Sequence, residues 1–139
     1  MSENTVLRGI EQRRAVFAYR NVEEAIEKLG GNESKDSVRY KGYAKKIPAL
    51  IKTNGLGATY AFIKSKDNTA AYALIYSQTG EWLRECYGDT FTREEDLVKC
   101  LISLPSVEYR TATVEVLALF NWLRRFAEGL IEGVVEDEN

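Results

Sequence analysis

From Val116 onward the apolar residues fall at steps of three and four, as Val116, Leu119, Phe120, Leu123, Phe126, Leu130 and Val134. That spacing lines one side of a helix, which turns once in about 3.6 residues. The same rhythm governs the rest of the chain. Leu7, Ile10, Phe17, Val22, Ile26 and Leu29 form a stripe over residues 5–29, and Gly30-Gly31 ends it. A second helix is expected from near Ser34 to Asn54, bent or interrupted by Pro48. A short, almost wholly apolar helix over 56–65 follows and is expected to be buried. Asn68 opens a fourth helix carrying Tyr72, Ile75, Thr79, Trp82, Leu83 and Cys86. Thr92 with Glu95 has the form of a capping box for a fifth, which Pro105 ends. The last helix starts within 106–111 and runs to about Gly133. No stretch alternates apolar with polar residues as a half-buried strand must. The expectation is all-α: a compact bundle of five to six helices with no sheet. One domain spans 1–139, with 136–139 a frayed acidic tail.

Composition removes several chemistries. The chain has no histidine, which excludes histidine acid–base catalysis, histidine-activated nucleophiles and histidine metal sites. Cys86 and Cys100 are the only cysteines and lack the CxxC spacing of zinc or redox sites, so both are expected as reduced core residues. No apolar run approaches the roughly 20 residues of a membrane span. The opening MSENTVLRG lacks the basic-then-apolar layout of a signal peptide, so a cytoplasmic protein is expected.

Three motifs resolve into structure. Gly55-Leu56-Gly57 begins like a phosphate-binding glycine loop, but Tyr60 stands at the third glycine's place and no strand precedes it. Glu94-Glu95-Asp96 occupies a helix's expected first turn, where the dipole favours acids. Trp82 and Trp122 lie on apolar stripes. Nothing argues for an enzyme, and neither a metal nor a cofactor is expected.

The second helix is different. At 100° per residue from Lys41, the residues Tyr40, Tyr43, Ala44, Ile47, Leu50 and Ile51 fall between about 180° and 300°, the core face. Lys41, Lys52 and Lys45 form one row near about 0–40°, and Lys35, Lys46 and Arg39 another near about 120–160°. The small residues Ala49 and Gly42 lie between the rows, and Asp36 projects toward the core side. Solvated helices usually intersperse acids with lysines, because opposite charges four apart help and like charges cost. Six cations without such partners suggest a surface for nucleic-acid phosphates or an acidic neighbour. With no interleaved exposed aromatics, contact is expected with phosphates alone. Charge is also divided along the chain. Residues 1–66 hold 13 Lys/Arg against 7 Asp/Glu, and residues 67–139 hold 6 against 14. Such a molecule offers a positive face to an anionic partner, or two complementary faces to copies of itself. Charge reversal of Lys41, Lys45 and Lys52 is expected to leave the fold nearly intact.

The stretch Lys46-Ile47-Pro48-Ala49-Leu50-Ile51-Lys52-Thr53-Asn54-Gly55-Leu56-Gly57, with Ala61-Phe62, resembles the signature of the small subunit of type III-B (Cmr) CRISPR effector complexes. Tyr109-Arg110-Thr111-Ala112-Thr113-Val114-Glu115 and Trp122-Leu123-Arg124-Arg125-Phe126-Ala127 are similar to that family's second block, and Arg13-Arg14-Ala15 with Ala18-Tyr19 to its first helix. Residues 66–105 are the least characteristic. The resemblance implies a small helical protein without catalytic activity. Copies would stack head to tail beside the backbone subunits that hold the CRISPR RNA, with target RNA against the ridge and signalling chemistry in the large subunit. Lys41, Lys45, Lys52, Lys46, Arg39 and Lys35 are then the leading RNA-binding candidates. Arg13, Arg14, Arg20, Arg124 and Arg125 come second, since Arg124 and Arg125 can pair with Glu128. The rival reading is a helical adaptor that sets the basic face on an acidic protein without RNA.

Overall fold

The computed structural model describes residues 3–134, with side chains from residue 8 onward; the Leu7 side chain and the 136–139 tail lie outside the described residues. Among the described residues six α-helices follow one another: α1 (Glu3–Lys28), α2 (Lys35–Asn54), α3 (Leu56–Ser65), α4 (Ala70–Tyr87), α5 (Leu97–Ile102) and α6 (Ser106–Leu130). A 3₁₀ turn, Gly88–Phe91, joins α4 to the loop before α5. No strand occurs among the described residues, and the fold is all-α as expected.

Helix α2 touches α1, α3, α4 and α6, and α1 also packs along α6. Most of the face of α2 read as core is core: Tyr40, Tyr43, Ala44, Ile47 and Ile51 are buried, while Leu50 is only partly buried and lines a surface groove. The same core cluster takes in Val116, Leu119, Phe120 and Leu123 of α6 and Tyr72, Ile75 and Leu83 of α4. Several buried polar groups are tied into this core by hydrogen bonds. The Tyr40 hydroxyl donates to Gln78 Oε1 at 2.6 Å, and the Gln78 amide donates to the Asn21 carbonyl and to Glu24, both at 2.9 Å. Tyr60 and Thr79 share a hydrogen bond of 2.7 Å. Such pairing is what keeps a buried hydroxyl or amide from destabilising the interior.

Several boundaries moved for identifiable reasons. Helix α5 starts at Leu97, later than the Thr92–Glu95 capping box implies. Thr92 Oγ1 instead accepts from the Glu94 N–H in the loop, at 2.9 Å. The start of α5 is satisfied from outside: the Val98 N–H donates to the Tyr76 hydroxyl at 3.1 Å, which donates to Asp96 at 2.8 Å. A tyrosine on another helix has replaced the local cap. Helix α6 stops at Leu130, short of Gly133, and Val134 is 87% exposed rather than part of the stripe. Helix α3 is not buried all round either, since Ala58, Ala61 and Phe62 face outward while Leu56, Tyr60 and Ile63 face in. Small alanines let an apolar helix lie at the surface at little cost.

Candidate nucleic-acid interface

Helix α2 is set by its two ends. Ser34 caps it, its hydroxyl accepting from the Ser37 N–H at 3.1 Å, and the helix runs unbroken through Pro48. At Gly55 the backbone takes φ +90° and ψ 161°, a region open essentially to glycine. Its N–H still bonds the Ile51 carbonyl at 2.8 Å, and α3 begins at the next residue. The corner is clamped from α6, where the Tyr109 hydroxyl accepts from the Gly57 N–H at 2.8 Å. A Cβ on Gly57 would stand 3.3 Å from both Tyr109 Oη and Ile102 Cγ2. Gly55-Leu56-Gly57 is thus a helix-to-helix corner.

The solvent side carries fewer cations than the helical wheel placed there. Lys35, Lys45, Lys46 and Lys52 are exposed. Arg39 is partly covered and pairs with Asp36 at 3.2 Å; Asp36 sits beside it in the first turn rather than toward the core. Lys41 corrects the reading outright. It is 5% exposed, and its ammonium donates to the carbonyls of Ile131 at 3.0 Å and Gly133 at 2.6 Å. The chain leaving α6 folds back over this part of α2, where the Glu132 N–H also donates to the Asn32 carbonyl at 2.8 Å. A wheel gives the angle of a residue around its own helix but not what covers that angle at each height. Further along the same row, Lys45 reaches Glu128 of α6 at 3.5 Å, so Glu128 takes a lysine where Arg124 or Arg125 was expected.

The arginines divide in the same way. Arg13, Arg20, Arg124 and Arg125 are exposed. Arg13 and Arg20 flank Val16 along a groove of about 300 Å³ between α1 and Glu85. Arg14 turns inward to make a paired contact with Glu115 on α6, Nε to Oε2 at 2.7 Å and Nη2 to Oε1 at 2.9 Å, and it also meets Glu11 at 2.6 Å. These hydrogen bonds raise the Arg14 guanidinium pKa despite partial burial. Burial pushes the Glu115 carboxyl up, but Arg14's hydrogen bonds and charge and the Trp82 N–H at 3.2 Å outweigh it, leaving it below the ordinary glutamate range. Glu115 of α6 is the structural tie, accepting from Arg14 of α1 and Trp82 of α4.

A different patch adjoins the exposed lysines. Tyr43 of α2 and Tyr72 of α4 stack at 3.7 Å with their planes 8° apart, and Lys46 Nζ lies 5.3 and 5.8 Å from their centroids. Phe62 meets Tyr72 edge-on at 5.9 Å and is 41% exposed, with Lys66 Nζ 5.9 Å from its ring. Between α2 and α3 a groove of about 490 Å³ is lined by Lys46, Leu50, Asn54, Ala58, Thr59 and Phe62. In the sequence Phe62 reads as one apolar residue of an apolar helix and as part of the stretch that carries the family resemblance; neither says which side of α3 meets solvent.

Both cysteines are free thiols. Burial pushes the Cys86 thiol up to about 11 and raises Cys100 as well, the opposite of what an activated nucleophile needs. No group of three or more His, Cys, Asp or Glu among the described residues is placed to hold a metal ion. No described helix is long and apolar enough to cross a membrane.

Comparison with known proteins converges on one family. Residues 10–130 match the family model described as CRISPR-associated protein (Cas_Cmr5). A curated relative, the CRISPR system Cmr subunit Cmr5 of Thermus thermophilus, is 34% identical over 115 residues, which is 83% of this chain and 90% of the relative. The crystal structure of a CRISPR-associated Cmr5 family protein from the same organism superposes with a TM-score of 0.69 at 28% identity, over 88% of this chain and 98% of that one.

Proposed function

Because the chain belongs to the Cas_Cmr5 family of CRISPR-associated proteins, we propose that it is the non-catalytic small subunit of a type III-B CRISPR ribonucleoprotein effector in the cytoplasm. In this reading several copies stack head to tail beside the backbone and large subunits and support target RNA along the guide in antiviral defence. The observation that carries the RNA part is the set of exposed lysines on α2. Lys35, Lys45, Lys46 and Lys52 project from a helix whose opposite side is core, with exposed Ala49 and Thr53 nearby. Phosphates suit such a face, because each contact releases counterions and needs no base identity. The excess of cations in residues 1–66 and of acids in 67–139 supports head-to-tail stacking. Arg13, Arg20, Arg124 and Arg125 stay secondary candidates. Lys41 and Arg14 drop out of the contact set, because their charged groups are already engaged inside the fold.

The test belongs in the assembled complex, where stacked copies add their contacts. A variant with Lys45, Lys46 and Lys52 all changed to Glu is expected to fold and assemble. Its affinity for target RNA should fall, and each lost contact should reduce the slope of log affinity against log salt by roughly 0.7. Wild-type affinity and salt slope in an intact complex would move the contact to the arginines of α1 or α6. An assembly defect with RNA binding retained would instead favour the adaptor reading.

A further inference from the structure

The α2–α3 groove differs from the lysine rows in having an apolar floor beside its charge. Leu50, Ala58 and Phe62 supply the floor, Asn54 a polar edge, and Lys46 the charge at the rim. Lys66 adds a second cation, its ammonium over the Phe62 ring at 5.9 Å, and no carboxylate lines the groove among the described residues. Thr59 in its wall is 2% exposed, and its hydroxyl has no hydrogen-bond partner among the described residues. At about 490 Å³ the groove falls within the range of small-molecule sites, about 300–1,000 Å³.

We propose that this groove receives one base of a single-stranded RNA, with the base against Phe62 and the neighbouring phosphates on Lys46 and Lys66. The chemistry of the lining selects that occupant. An exposed aromatic ring in a groove that Lys46 lines, with Lys66 over the ring, matches a flat, uncharged base carried on a negative backbone, and stacking on a ring tolerates any base. The Asn54 amide can donate to and accept from a base edge. Single strands fit and duplexes do not, because paired bases present no free face. The inference rests on the RNA reading above and sharpens it: contact is no longer with phosphates alone, and the binding register of each copy is anchored by one unstacked nucleotide.

The purified protein is titrated at low salt with a ten-nucleotide RNA bearing 5-iodouridine, and with a strand of the same length whose nucleotides all lack bases. Phe62→Leu keeps an apolar residue beside Tyr72, and an unchanged melting curve confirms its fold. It should weaken binding of the base-bearing strand roughly tenfold, leave the salt slope unchanged because no charge is lost, and leave binding of the abasic strand alone. Irradiation should cross-link the iodouridine to the peptide containing Phe62. Asn54→Ala, at the exposed end of α2, should weaken only the base-bearing strand. Equal binding of the two strands by the wild type overturns the base site, as does a Phe62→Leu variant that binds and cross-links like the wild type. If the triple lysine variant still loses affinity in that case, the RNA reading survives without the base site. If the wild type binds neither strand, the base site falls, and the RNA reading is decided by the triple lysine variant in the assembled complex.

Discussion

Two lysines on one row of one helix have opposite fates. Lys52 is exposed, so Lys52→Glu should move stability by no more than about 0.5 kcal/mol. Lys41→Glu would set a buried carboxylate against two carbonyl oxygens and should cost about 3 kcal/mol or more. Urea denaturation of the two single variants measures the difference, and equal values would remove Lys41 from the interior. Reversing Lys41, Lys45 and Lys52 together is therefore a folding experiment as much as a binding one. Gly55 is the other decisive residue. Its φ of +90° is closed to a side chain, so Gly55→Ala should destabilise by about 1–3 kcal/mol in the same assay. That the helix ends at Asn54 was legible in the sequence; the extended backbone with positive φ at Gly55 was not. Nor was the fate of Lys41, because the residues that cover it lie 90 and 92 positions away.

Helix pairing depends on contacts that no single element announces. Arg14, Glu115 and Trp82 tie α1, α6 and α4 at one point. Because the Glu115 carboxyl is held below its ordinary range, its contribution is fully present above that range and is lost as pH falls through the lowered value. Glu115→Gln should lower stability at neutral pH by about 1.5–3 kcal/mol, since a charged hydrogen-bonded partner is lost. The gap between variant and wild type should then close in acid. Melting curves across acidic to neutral pH check the sign, and a gap that widens in acid contradicts it. The stretches that carried the family resemblance meet at such points. The Gly57 N–H donates to Tyr109, and the Arg14 guanidinium to Glu115. These blocks lie far apart in the sequence, and the fold makes them neighbours.

Across the whole molecule, charge rather than shape predicts association. If copies stack through the positive N-terminal and negative C-terminal portions, self-association should strengthen at low ionic strength and fade as the Debye length shrinks below about 8 Å. Sedimentation velocity over a salt series reads this directly. Association indifferent to salt would assign the stacking to apolar contact, with exposed Ile102, Val107 and Val114 as the surface to alter.

The sequence alone determined the helical class, the order of the helices, the core face of α2, the stop at Gly55 and the family. All of these follow from local backbone preference, from apolar spacing along one segment, or from a run of contiguous residues. Tertiary structure decided which cations remain at the surface, that a tyrosine of α4 would cap α5, and that Phe62 of an apolar helix would face a lysine-edged groove. The physical reason is the same in each case. Burial and hydrogen bonding are settled by whichever element packs against a residue, and that element lies far along the chain.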